Sequence, residues 1–250
     1  MALIWAPSPT KTLAGSFAEI WEIPGRVSLV ADPAGTAQTA IKLPIPDTDL
    51  QLVNMVNGAK YTAADPRADL GTPPILAEGD GLTSPRFVAW RVLIPRAAIA
   101  QILAAPTSGW MQVGEIYGLP QQGSPPIGLD VTVTAGQVHL ALFRDATHDW
   151  DMPWQGPPLD GHWHTVAMQV GMSTDPTAGF VSIYYDGVMQ LPALRYATMV
   201  PGVNAAAPNR VYANNYRKRG WLPGTVIVYH DARYPRVATT LAEATSWPQP

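Results

Sequence analysis

The chain has 250 residues, with 26 prolines, 21 glycines, no cysteine, and 16 basic against 19 acidic side chains for a net charge of -3. Charged residues make up 14%, against roughly a quarter in ordinary domains, which leaves no basic track for nucleic acid and no like-charge tail. The missing cysteines exclude disulfides, thiolate metal sites and thiol nucleophiles, while 47% hydrophobic residues suffice for a sizeable core.

Residues 1–21 lack the basic start and long apolar run of a secretion signal. No stretch reaches the roughly 18 apolar residues of a membrane span. The expectation is therefore a protein made in the cytoplasm without a signal peptide. Strand patterns then dominate. Residues 87–94 end at Pro95, and residues 96–105 carry Ile99, Ile102 and Leu103 on one helical face before Pro106. Alternation at 129–134 turns at Ala135-Gly136 into 137–143. Further strands are expected at 163–170, at 180–185 (ending in the hairpin signal Asp186-Gly187) and at 225–230. Thr240 and Glu243 have the spacing of a capping box. Period-2 patterns between Pro/Gly-rich connections predict an all-β sandwich of two antiparallel sheets with one or two short helices. We read residues 1–250 as one domain, with a core over about 27–234 and peripheral arms at 1–26 and 235–250.

A string of motifs narrows this. Gly161-His162-Trp163-His164 is followed by the run from Thr174 to Gly187; before it come Val27 to Gly35, Arg67-Ala68-Asp69-Leu70, Trp110 to Gly118 and Ser124 to Val131, and after it Tyr212 to Arg217. In this order they resemble the concanavalin A-like jelly roll of the heparin-lyase and alginate-lyase type. The resemblance covers roughly residues 27–234. It implies a site in which an Arg, an amide, a His and a Tyr handle a uronate: the first two neutralise the carboxylate, and the others move the proton. The matching positions here are Arg67, Glu115, Tyr117 and Tyr216. Two of them depart, because Glu115 stands for the amide and Tyr117 for the His. A carboxylate there repels a uronate, and a tyrosine with a pKa near 10 is a poor base. Asn214 replaces a glycine of the pattern. A hydrolase on the same fold needs two facing carboxylates, for which Glu115 with Asp130 or Asp69 are the candidates.

Other side chains have two readings. Trp150 and Trp154, in a stretch read as a loop with Asp149 and Asp151, either stack on sugar faces or pin the loop to its own sandwich. Asn214, Tyr216 and Arg217 divide in the same way, and with Arg67, Glu115 and Tyr117 they complete the set of expected glycan contacts. His162 and His164 share a strand face and make half a metal site at most. No cofactor is expected, although Asp47-Thr48-Asp49 leaves room for a structural calcium.

Composition and the absent signal together resemble minor tail proteins of phages infecting actinobacteria. The main expectation is thus a non-enzymatic virion tail protein that binds host cell-envelope polysaccharide or other tail proteins, with a homo-oligomer left open because the sequence does not fix the oligomeric state. The alternative is a polysaccharide lyase acting on uronate-containing glycans by β-elimination, with Arg67, Tyr117 and Tyr216 as catalytic residues, or a glycoside hydrolase.

Overall fold

The computed structural model describes residues 3–8, 11–36, 38–48, 50–105, 108–118, 125–145, 151–200 and 208–245. The first half of the chain forms β1 (Leu3–Trp5), α1 (Leu13–Ser16), β2 (Glu19–Glu22), β3 (Ser28–Ala31), β4 (Thr39–Pro46), β5 (Gln51–Asn54), β6 (Lys60–Thr62), β7 (Arg67–Gly71), β8 (Phe87–Leu93), α2 (Arg96–Leu103) and β9 (Met111–Tyr117). The second half adds β10 (Ile127–Thr134), β11 (Gln137–Arg144), β12 (Asp151–Pro158), β13 (Trp163–Gly171), β14 (Phe180–Tyr185), β15 (Val188–Arg195), β16 (Arg210–Arg217), β17 (Thr225–Asp231), β18 (Arg236–Ala238) and α3 (Leu241–Thr245).

Among the described residues the strands make two nine-stranded antiparallel sheets, so the all-β jelly-roll sandwich holds. The first runs β15-β14-β13-β8-β17-β4-β3, with β18 and β1 joined through β8. The second runs β12-β11-β10-β9-β16-β7-β2-β5-β6. Two hairpin turns form where the sequence places them. Ala135-Gly136 and Asp186-Gly187 all have positive φ, the geometry of a two-residue turn that follows the strand twist. Half of the capping box forms: Glu243 N donates to Thr240 Oγ1 at 3.2 Å, while the Glu243 carboxylate accepts from the Thr240 hydroxyl at 3.0 Å.

Three expectations need correction. The stretches read as peripheral arms are built into the sheets. Phe17 and Ile20 lie in the core, β2 pairs with β5 and β7, and β18 pairs with β8. The Trp154 stretch is the edge strand β12 and not a loop. As an edge strand it tolerates prolines, which lack the N–H that a central strand would need. Finally, the strands of residues 129–185, which read in the sequence as consecutive antiparallel strands joined by turns, do not share one sheet. The chain leaves the second sheet after β12 and enters the first at β13.

The core between the sheets centres on Trp90, fully buried on β8, whose Nε1 donates to the Tyr212 carbonyl across the sandwich at 2.7 Å. Gly114 on β9 faces it. A Cβ there would sit 2.8 Å from Trp90 Nε1, so the position accepts only glycine. Polar groups also cross this interior. Asn215 Nδ2 donates to the carbonyls of Leu43 and Val226, and His230 Nε2 donates to the Asn214 carbonyl. The Arg217 guanidinium donates to the carbonyls of Leu222, Ile45 and Gly224 at 2.7, 3.2 and 3.0 Å.

Candidate functional site

The site lies on the face of the second sheet turned away from the first. Alternation puts Arg67 and Asp69 of β7 on that face, with Ala68 and Leu70 in the core. On β16 the same rule sends Tyr212, Asn214 and Tyr216 outward while Val211, Ala213, Asn215 and Arg217 point inward. Strand β9 breaks the rule once. Leu129 pairs with Gly114 and Asp130 with Gln112, so Val113 is an extra residue in a β-bulge. The bulge lets both Val113 and Gly114 face the core and returns Glu115 and Tyr117 to the site face. Asp130 of β10 joins them beside Gln112. Opposite Glu115 stands Gly128, where a Cβ would lie 2.6 Å from Gln112 Nε2.

Arg67 organises the group. Its Nε donates to Asp69 Oδ2 at 2.5 Å and its Nη2 to Glu115 Oε1 at 3.5 Å. Its guanidinium lies 4.2 Å from the centre of the Tyr216 ring, and Trp110 meets that ring edge-on at 4.7 Å. Its Nη1 has no partner among the described residues, and the side chain keeps 19% exposure. Burial disfavours the charge on Arg67, but Asp69 and Glu115 outweigh it and hold the guanidinium protonated.

The carboxylates respond differently. Burial pushes Glu115 up to about 8, with Arg67 pulling it down and Asp69 and Asp130 adding to the rise. Burial lifts Asp130 to about 7 against a hydrogen bond from Gln112. Asp69 is also raised by burial, against the pull of Arg67. Both tyrosines are pushed up to about 12, first by burial. Arg67 is the next influence on Tyr216 and lowers it, whereas Glu115 is the next influence on Tyr117 and raises it further.

Of the residues expected at the site, Arg67, Glu115, Tyr117, Asn214 and Tyr216 share this face. Arg217 does not: it is fully buried between the sheets, because adjacent strand residues point to opposite faces. Trp154 is likewise interior, 7% exposed and 6.1 Å from the Tyr185 ring of the other sheet. Both are corrected from glycan contacts to packing residues. Trp150 lies outside the described residues, as does Asp49 of the proposed calcium cluster. Asp47 Oδ1 accepts from Gly220 N at 2.8 Å and lies 3.5 Å from Arg217 Nη1. His164 is held by Asp186 at 2.9 Å and Asp160 at 3.2 Å, and no metal-binding trio of His, Asp or Glu occurs among the described residues. Gln112 and Trp110 were not expected at the site. The signal for Trp110 was its proximity to Tyr216 in the strand order; the bulge obscured Gln112.

No protein-family model matches the sequence, and no curated protein matches it. Solved structures do. Alginate lyase Aly36B superposes with a TM-score of 0.57 at 11% identity, over 94% of this chain and 91% of that one. A variant of Aly36B in complex with alginate trisaccharide gives 0.53 at 10% identity, over 95% and 93%. Alginate lyase AlyC3 gives 0.52 at 7% identity, over 84% and 78%. At these identities the likeness establishes the fold. The expectation of a non-enzymatic phage-tail protein is overturned: the solved structures similar to this chain are mostly alginate lyases, and the lyase alternative fits them better. Nothing in the comparisons points to a virion.

Proposed function

We propose that the protein is a polysaccharide lyase that cleaves a uronate-containing glycan by β-elimination. The observation that carries this reading is the Arg67–Tyr216 pair at 4.2 Å, with Nη1 of the arginine unengaged by any described residue and Tyr117 on the neighbouring strand face. A uronate carboxylate docked on Arg67 spreads the charge that develops when the adjacent C5–H bond breaks. Tyr216 is assigned the role of proton acceptor, because the Arg67 guanidinium lies 4.2 Å from its ring and opposes the burial that raises its pKa. Tyr117, which burial holds protonated, donates to the glycosidic oxygen at C4. The C5–H and C4–O bonds break, a C4=C5 double bond forms, and one proton passes from Tyr117 to the leaving sugar while Tyr216 gains one. Exchange between the two tyrosines through solvent restores the site.

The experiment is incubation with alginate and other uronate polysaccharides, following the ultraviolet absorbance of the unsaturated product. Growth of that signal, abolished in Tyr216→Phe, is expected. Silence on every uronate polymer sinks the reading.

A further inference from the structure

The layer beneath Arg67 holds more hydrogen-bond acceptors than donors. Asp69 on β7, Glu115 on β9 and Asp130 on β10 contribute three buried carboxyl groups, and Arg67 bonds to the first two. Asp69 Oδ1, Asp130 Oδ1 and Gln112 Oε1 are buried with no partner, although each is an acceptor. Asn214, fully buried on the same face next to Asp69, leaves both its amide atoms unpartnered. Such a layer cannot carry three negative charges, because a buried carboxylate without a partner loses its hydration and gains nothing in return. Asp69, in tight contact with Arg67 at 2.5 Å, is the group that stays ionised. Glu115, at 3.5 Å, and Asp130, with only Gln112 on it, must retain protons between them.

We infer that Glu115 serves as an uncharged hydrogen-bond donor to the substrate carboxylate, standing beside Arg67 and doing as an acid what an amide would do. The inference rests on the lyase reading for the identity of that carboxylate. It removes the repulsion that a glutamate at this position otherwise implies. The titratable and charged groups facing Glu115 are Arg67 and Asp69 from β7, Asp130 from β10, Tyr117 from its own strand and Tyr212 from β16. Arg67 favours the ionised acid; burial, Asp69 and Asp130 favour the neutral one and prevail, placing the loss of the proton at about 8.

The test is binding of alginate trisaccharide by calorimetry in a Tyr216→Phe background, which does not consume the ligand, with and without Glu115→Gln. The glutamate form is expected to lose about tenfold in affinity between pH 7 and pH 9, as a donor with a pKa of about 8 deprotonates. The glutamine form is expected to lose almost none. Glu115→Ala, which removes the donor outright, is expected to bind weakly throughout. Parallel pH profiles for Glu and Gln overturn the inference, as does a glutamine form that binds like the alanine form. Product formation is measured separately in the native chain. Product with parallel profiles defeats the Glu115 inference and leaves the lyase standing; the expected profiles without product on any polymer defeat the lyase and leave the donor role standing.

Discussion

Two buried polar layers lie on opposite sides of the same sheet, and they are built to different ends. Between the sheets, Arg217 places its cation on three backbone carbonyls, and Asn215 ties two more across the sandwich. These groups meet fixed dipoles of the correct sign and act as struts. On the outer face, Asp69, Gln112, Glu115 and Asp130 are packed with acceptors left over and a single arginine to answer them. Unpartnered atoms occur in both, Asn215 Oδ1 and His230 Nδ1 in the first, but the first sets its cation on acceptors whereas the second gathers more carboxyl groups than cations. The mismatch of the second keeps protons close to pH 7 and one guanidinium nitrogen available, which is the state a proton-transfer site requires.

The largest expected effect separates the two layers by activity. Arg67→Ala should lower kcat/KM on the cleaved uronate polymer by about 10²–10³-fold, the typical loss of one preorganised charge-stabilising donor, with the fold retained by circular dichroism. Tyr216→Phe should cost a similar or larger factor, about 10²–10⁴-fold. Arg217→Leu should do the reverse. It strands the carbonyls of Leu222, Ile45 and Gly224 and should cost about 3 kcal/mol or more in urea unfolding.

Acidity sharpens the contrast through opposite slopes. His230, in the inner layer, is buried and its pKa is lowered to about 4. The unfolded chain takes up this proton below its ordinary value of about 6.5 while the folded one refuses it. Stability should therefore fall as pH drops from about 6.5 to about 4, by roughly 3 kcal/mol. Urea midpoints across that window check it, and His230→Gln should flatten the slope. Glu115 and Asp130 act oppositely. Their folded pKa values are raised, so the native state holds protons that the unfolded chain has released, and stability should fall as pH rises toward about 7 to 8. The last expected effect follows from the same linkage: Asp130→Asn should raise the urea midpoint at pH 8 and leave it little changed at pH 4.

Much of the frame was legible in the sequence. The turns at Ala135-Gly136 and Asp186-Gly187 require positive φ and announce themselves. Arg67, Glu115, Tyr117 and Tyr216 come together because each sits in a strand motif whose order matches the fold. The parity of β16 was legible too and argued against Arg217: a residue next to Tyr216 on a regular strand cannot share its face. Trp154 was obscured by Pro153, Pro157 and Pro158, which read as loop residues until the strand is known to be an edge. The protonation of Glu115 was not legible at all. It depends on which acids lie across adjacent strands and how deeply, and composition carries neither. A lyase for acidic glycans is expected to offer a cationic cleft, and 16 basic residues are few for one. A neutral acid beside one arginine meets the same need with a single positive charge.

The bulge at Val113 has a consequence for how such a sheet changes over generations. In a regular strand, moving a functional group from the core face to the ligand face takes a substitution at every position. Here the extra residue is absorbed where it stands: Val113 and Gly114 both face the core, and alternation resumes with Glu115 outward, Ile116 inward and Tyr117 outward. A one-residue deletion at Val113 would leave plain alternation from Gln112 through Gly114 to Glu115 and keep Glu115 and Tyr117 on the site face. The bulge is therefore a place on β9 where the chain can lose a residue without turning the site residues inward.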